Sequence, residues 1–313
     1  MRNDVTGLVY ANTLFKIKLK RILASNNYDI IHIVNEEMGY VAKMAKESGN
    51  SAKVITSVFS LMRIGKGYNK GLLQNIYSGL VAKGLREAVI YSDMVTYSGK
   101  EIQEDAQHLL GNPKKARQIY IGPPHDNFIK KPIPNKRRGR IITVGYVGAL
   151  AFRKNPIFIL KTAEIMKDID GYRFLVYGSG AELRSLEKYV MEKGLKNVSL
   201  MGFAPENRLM AIYDSFDMFL YPSIEEGSSI PVFDAFARGL PVILYKRTNM
   251  SEEVKRHGIL VENERKAAEM LQHIRKYGYS QKKREECLKY VRCFSWDRAI
   301  KEVFTAYTDL LHE

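Results

Sequence analysis

Glu226 and Asp234 stand eight residues apart, the first just before a short polar loop, Gly227-Ser228-Ser229, and the second on the helix that Ile230-Pro231 opens. The first turn of a helix has backbone N–H groups without partners, and their positive partial charge suits a phosphate oxygen. Gly227 lets that backbone approach a ligand closely. A carboxylate beside a phosphate pocket repels phosphate, so Glu226 and Asp234 are better explained as acceptors for hydroxyl groups of the same ligand. Sugars and riboses carry such hydroxyls.

The elements that must hold this constellation are legible around it. Met218 to Tyr221 is apolar enough for a buried parallel strand, which Pro222 and Ser223 end. Pro231 lies where a first-turn proline is tolerated, Gly239 supplies a left-handed stop, and Pro241 opens the next strand, so the helix spans about two turns. Similar units recur along the chain. Strands are expected at 29–34, 53–58, 93–97, 117–121, 141–147, 172–177 and 197–202, with helices at about 39–47, 68–90, 206–214, 264–277 and 281–291 and a last one that Ser295 caps. This alternation argues for open parallel sheets that bind ligands at the carboxyl ends of their strands.

The run FLYPSIEEGSSIPVFDAFARGLPVI, residues 219–243, resembles the donor-binding signature of the retaining GT-B glycosyltransferases of the large group 1 family, the family-four type. That resemblance implies an α/β fold of GT-B architecture, two Rossmann-like parallel-sheet domains facing across a cleft. It implies that Glu226 holds the donor sugar, that the amides of Gly227, Ser228, Ser229 and Ile230 hold the diphosphate, and that Asp234 holds the ribose diol. Ser229 stands in place of the second glycine of the signature, and Asp234 is one methylene shorter than the usual glutamate.

The turn Gly148-Ala149-Leu150-Ala151-Phe152-Arg153-Lys154-Asn155 resembles a second family site. There the resemblance makes Lys154 the partner of the donor diphosphate, Arg153 its helper and Gly148 part of the donor loop, whereas Ala149 replaces an arginine found in many members. NVSLMGFA, residues 197–204, resembles the segment along which the nucleobase lies, making Gly202 and Phe203 donor-side candidates. The first half is similar in its YDIIHIVNE, SDMVTYSGKEI and YIGPPHDNF segments. It lacks the usual opening strand with its glycine-rich loop and carries Phe59 where the family has a histidine, so the acceptor domain reads as abbreviated. Asn35 and Glu36, at a strand end, are candidates for the acceptor side or simply cap a helix. His32 reads as a satisfied core or edge histidine.

Domain one is expected over residues 1–135 and domain two over 136–313, with PIPNKRRGR (132–140) as linker and the final helix crossing back. Composition is that of a globular chain: 313 residues, 45% hydrophobic and 27% charged. There is no run of membrane-span length and no signal-like apolar core, so a cytoplasmic location is expected. Cys287 and Cys293 suit neither a disulfide scaffold nor a zinc site and read as packing residues. The Gly-x-Gly at 178–180 lacks the third glycine of a dinucleotide fingerprint.

The net charge of +15 is uneven: residues 1–140 hold 23 Lys and Arg against 11 Asp and Glu. That half is suited to an anionic or lipid-linked acceptor and to peripheral contact with the inner face of a membrane. Residues 8–23 read as a basic amphipathic helix with Leu8, Ala11, Phe15, Leu19 and Ile22 on one stripe and Lys16, Lys20 and Arg21 elsewhere. No nucleic-acid-binding pattern is present. No metal site and no resident cofactor are expected, the nucleotide-diphosphate sugar being a co-substrate. The reading is therefore a metal-independent, retaining hexosyltransferase. A non-catalytic GT-B-like subunit that binds a sugar nucleotide or a partner, and a nucleotide-sugar epimerase, are the alternatives.

Overall fold

The computed structural model describes residues 5–34, 38–59, 61, 72–123, 129, 141–226 and 229–313. The chain forms two compact units, residues Met1–Tyr120 with Ile300–Glu313, and Ile121–Ala299. This division falls ahead of the 135/136 boundary because the connecting segment is tied into the second unit. Gly122 lies against the backbone of Phe294, the Trp296 N–H donates to the Pro123 carbonyl (3.3 Å), and the Ile129 N–H donates to the Ala237 carbonyl (3.1 Å). The linker residues 132–140 lie outside the described residues.

The first unit contains α1 (Val5–Ser25), β1 (Ile30–Ile33), α2 (Tyr40–Glu47), β2 (Lys53–Val58), α3 (Leu72–Tyr91), β3 (Met94–Tyr97), α4 (Lys100–Leu110) and β4 (Ala116–Gln118). Its four strands are parallel in the order β1-β2-β3-β4. Most of β2 and all of β3 are buried, as apolar runs in a parallel sheet covered on both faces must be. The β4 strand is shorter than the 117–121 run: the Ile119 N–H makes the last sheet-like bond, to the Tyr97 carbonyl (2.8 Å). Ile300–Glu313, the greater part of α12 (Trp296–Leu311), belongs here, its Ala306 and Leu310 clustering with Ile55 and Met94. His32 is fully satisfied within this unit, with Nδ1 2.7 Å from the Tyr307 hydroxyl and Nε2 2.7 Å from Ser57 Oγ. Burial lowers its pKa, which suits a core histidine.

The α1 stripe read in the sequence holds at Leu19, which packs with Leu23 toward Ile33, Val41 and Val54, and differs at Phe15 and Ile22, which are exposed; the side chains of Leu8 and Ala11 lie outside the described residues. The reason is tertiary: α2 and the sheet cover the side that Leu23 occupies, and Lys16 also faces that side, 4.3 Å above the Tyr40 ring.

The second unit contains β5 (Ile142–Val147), a 3-10 turn at Phe152–Lys154, α5 (Ile157–Ile165), β6 (Tyr172–Tyr177), α6 (Leu183–Lys193), β7 (Val198–Gly202), α7 (Glu206–Asp214) and β8 (Met218–Tyr221). It continues through α8 (Ile230–Ala237), β9 (Val242–Tyr245), α9 (Glu252–His257), β10 (Ile259–Val261), α10 (Glu264–Tyr277) and α11 (Gln281–Arg292). The six strands are all parallel, in the order β10-β9-β8-β5-β6-β7. Strand succession therefore reverses between β5 and β8, and in open α/β sheets ligands bind at such a point, beyond the carboxyl ends of the strands.

The core of this unit is aromatic along that seam. Tyr146 of β5 stacks on Tyr221 of β8 (ring centroids 5.6 Å apart), and Tyr221 stacks on Phe219 (5.6 Å). Gly145 sits opposite Phe219 in the ladder, and any side chain there would overlap the Phe216 ring. Cys287 is buried as expected. Cys293 is exposed, because it caps α11 and faces away from the core.

Candidate active site

The seam between β5 and β8 delivers two loops to one place. After β5, the Gly148 N–H donates to the Tyr177 carbonyl (3.0 Å) and the Leu150 N–H to the Ser179 carbonyl (2.9 Å), so the chain stays at the sheet edge before the Phe152–Lys154 turn. Asn155 then takes a left-handed conformation (φ 51°), which is tolerable for asparagine, and Pro156 is the N-cap of α5. After β8, the loop is fastened to that turn through one atom. The Arg153 carbonyl accepts from the N–H groups of Ile224 (2.9 Å) and Glu225 (3.2 Å) and from Ser223 Oγ (3.3 Å).

This backbone union sets Lys154 against Glu226. Their side chains form an ion pair between Nζ and Oε1, with the residues only 8% and 7% exposed. The same Oε1 accepts from the Tyr221 hydroxyl (2.8 Å), and Lys154 Nζ lies 5.8 Å from the Tyr221 ring centroid. The Glu226 N–H donates to Asn249 Oδ1 (2.7 Å), while the Asn249 N–H donates to the Ile224 carbonyl (3.0 Å), so a third loop, after β9, pins the glutamate from below.

The electrostatics follow from burial. Desolvation lowers the Lys154 pKa, and the Glu226 charge and hydrogen bond oppose that shift. The Tyr221 phenol is raised well above its ordinary value, by burial first and then by the Glu226 charge. Tyr146 is raised for the same two reasons, and its hydroxyl donates to the Ala149 carbonyl (3.0 Å). An ammonium, a carboxylate and a phenol thus share one buried cluster, in which a phosphate would be drawn to the cation and a hydroxyl to the carboxylate.

The other sequence candidates fall as follows. Ser229 is the N-cap of α8, its carbonyl accepting from the N–H groups of Val232 (2.9 Å) and Phe233 (3.0 Å), and Ile230 opens that helix. Asp234 is 3% exposed and lies close enough to Tyr213 that its charge helps to raise that phenol. Gly202 ends β7 with φ 72° and open space around it, and Phe203 beside it is 75% exposed. Gly227, Ser228, Asn35 and Glu36 lie outside the described residues.

Sequence reasoning missed Tyr221 and Asn249. Tyr221 had a signal, a hydroxyl at the last position of an apolar strand just before Pro-Ser. Asn249 had none, being 23 residues beyond the glutamate it holds. Among the described residues no group of three or more His, Cys, Asp or Glu side chains could hold a metal ion. No described helix is long and apolar enough to cross a membrane.

Two parallel-sheet units, with a cation–carboxylate site at the reversal point of the second, define an α/β protein of GT-B architecture. Solved structures share that fold: sucrose-phosphate synthase from Thermosynechococcus elongatus has a TM-score of 0.78 at 20% identity, over 95% of this chain and 77% of that one. An Anabaena protein, HepE, solved with UDP and glucose, has a TM-score of 0.75 at 13% identity, over 94% of this chain and 81% of that one. Residues 127–293 match the family described as "Glycosyl transferases group 1", and the chain belongs to that family.

Among curated relatives, the O-antigen chain mannosyltransferase B of Escherichia coli is 26% identical over 171 residues, 52% of this chain and 44% of that protein. The UDP-Gal:alpha-D-GlcNAc-diphosphoundecaprenol alpha-1,3-galactosyltransferase of Escherichia coli is 23% identical over 242 residues, 73% of this chain and 60% of that protein. The matches thus span about half the length of these relatives.

Proposed function

We propose that the chain is a retaining glycosyltransferase that moves a hexose from a nucleotide-diphosphate sugar to an acceptor hydroxyl. The observation that carries this reading is the Lys154–Glu226 pair at the strand-order reversal of the second unit. A ligand with both a diphosphate and sugar hydroxyls satisfies both partners at once, since Lys154 can turn to a phosphate oxygen while Glu226 accepts from the sugar.

In this mechanism the bond from the anomeric carbon to the diphosphate oxygen breaks, the acceptor hydroxyl oxygen bonds to that carbon on the same face, and the hydroxyl proton passes to the departing diphosphate oxygen. Lys154, Arg153 and the amides of Ser228 to Ile230 stabilise the charge that develops on the leaving diphosphate. This is electrostatic stabilisation by fixed donors, and no metal is assigned to it. Asp234 accepts from the ribose diol, and Gly202 and Phe203 border the base.

The acceptor is anionic or lipid-linked, and the first unit meets a membrane from the cytoplasmic side. The reading is supported by α1 of the first unit, which carries Lys16, Lys18, Lys20 and Arg21 and no acidic residue, and by the relative whose name carries a diphosphoundecaprenol-linked acceptor. A second reading, binding of a sugar nucleotide without turnover, is favoured by Ala149 and Phe59, which stand where the family pattern has an arginine and a histidine.

A melting-temperature screen across nucleotide-diphosphate sugars tests the donor, because a ligand at a hundred times its dissociation constant stabilises by roughly 2.7 kcal/mol. Released nucleoside diphosphate in the presence of acceptor extracts tests turnover. A shift without release selects the binding subunit, and no shift with any donor rejects both.

A further inference from the structure

We propose that the outward face of α1 is a membrane-docking element for anionic bilayers, built from Leu14, Phe15, Ile17, Lys18, Arg21 and Ile22. The proposal rests on the lipid-linked acceptor reading above and assigns the surface that meets the lipid. Helical geometry of 3.6 residues per turn places Leu14, Lys18 and Arg21 on the side opposite the buried Leu23. Phe15 and Ile22 flank that side on one edge and Ile17 on the other. All four of these apolar side chains are exposed by 41 to 49%.

Leaving four large apolar side chains in water has a cost that folding could have removed, because the other side of the same helix already packs into a core through Leu19 and Leu23. An ordinary sheet-covering helix turns its apolar side in and its charges out. Here the outward side carries both: four apolar groups that can enter a bilayer interface, and between them Lys18 and Arg21, whose long side chains can reach the lipid headgroups. The charge of the helix itself selects the occupant. Val5–Ser25 carries Lys16, Lys18, Lys20 and Arg21 and no acidic residue, so an anionic lipid surface is complementary, whereas a second copy of the same face would set like charges together. Lys16 is excluded from the contact: its ammonium lies over the Tyr40 ring on the inward side.

Sedimentation with vesicles of phosphatidylcholine containing a third phosphatidylglycerol, and with phosphatidylcholine alone, tests this directly. The full chain is expected to bind the anionic vesicles, to release them as salt rises from 0.1 to 1 M, and to ignore the neutral ones. Neutralising Lys18 and Arg21 to Gln together lowers partitioning roughly twenty-five-fold, about fivefold per charge. Phe15→Ser with Ile22→Ser lowers it at least as much, and Lys16→Gln changes it less than twofold. Because Trp296 is the sole tryptophan, Phe15→Trp in a Trp296→Phe background reports depth. Brominated phospholipid should quench residue 15, and in the parent it should leave Trp296 unquenched.

Equal binding to both vesicle types, binding that survives the apolar and the cationic variants alike, or an unquenched residue 15 would each overturn the proposal. So would self-association without lipid that the same variants abolish. Far-UV circular dichroism checks that each variant folds. The donor screen in vesicle-free buffer decides the transferase reading separately, so either can fail alone.

Discussion

Lys154 and Glu226 are 72 residues apart in sequence and form a buried ion pair between the loops that follow β5 and β8. In the absence of donor each satisfies the other, and Tyr221 adds a hydrogen bond to the same carboxylate oxygen. On the transferase reading proposed above, donor binding exchanges an internal contact for a ligand contact at both ends. The two residues are structural partners as well as chemical ones, and their removal has two separable consequences.

Removing one member leaves the other charge buried without compensation, which costs about 3 kcal/mol of stability. Lys154→Met and Glu226→Gln are each expected to lower the urea midpoint, while the double variant is expected to lose less than the sum of the two. Transfer activity behaves differently, falling by roughly two orders of magnitude in either single variant and not recovering in the double. Additive stability losses, or turnover near that of the parent in a single variant, would detach the pair from the site.

The alkaline side of the pH profile should report Lys154. Burial lowers its folded-state pKa, so the cation that a diphosphate requires is lost at lower pH than an ordinary lysine would lose it. The limb of kcat/KM is expected below the usual lysine range, and Glu226→Gln should move it further down because the carboxylate opposes the shift. The stability sign is the reverse. A lysine with a lowered folded pKa binds fewer protons folded than unfolded as pH rises toward the unfolded value. Stability of the parent relative to Lys154→Met therefore increases across that window, which melting temperatures measured at several pH values would record.

Asp234→Asn isolates the ribose contact. The substitution keeps the shape of a 3% exposed side chain and removes its charge, so the fold is expected to persist. If the carboxylate holds the diol, the donor KM rises more than kcat falls, since the ribose is remote from the reacting carbon. The Tyr213 phenol should also titrate closer to its ordinary value once the neighbouring charge is gone. An unchanged KM would leave Asp234 a purely structural acid.

Gly148→Ala tests the aromatic support of the pair. A Cβ at Gly148 would come within 2.8 Å of the Tyr146 hydroxyl and 3.4 Å of the Tyr221 ring, and both rings are fully buried. Neither can move freely, so the strain is expected to cost about 1 to 3 kcal/mol and to displace the Tyr221 hydroxyl from Glu226. A loss of kcat/KM at temperatures where the variant is fully folded would mark the positioning effect, whereas lost stability with intact turnover would refute it.

Much of the second unit was written locally. Apolar runs such as Met218–Tyr221 and Ile142–Val147 are bounded by Pro, Gly and polar turns, and parallel strands buried on both faces have no other composition available. Residue types near Glu226 also announced an anion-and-hydroxyl site, because helix starts, glycines and carboxylates act over a few residues. What lay beyond sequence was every relation set by packing between distant segments. The strand order that places β5 beside β8 decides that Lys154 meets Glu226, and no spacing along the chain encodes it. The Asn249 side chain reaches the Glu226 amide only because β9 lies next to β8. On α1 the periodicity was read correctly as helical and its faces only in part, since α2 and the sheet chose the side of Leu19 and Leu23 and left Phe15 and Ile22 outside. Local sequence determines which elements form and what chemistry their ends can offer. The burial of particular faces, and the pairing of charges brought from separate strands, depend on the free energy of the whole core.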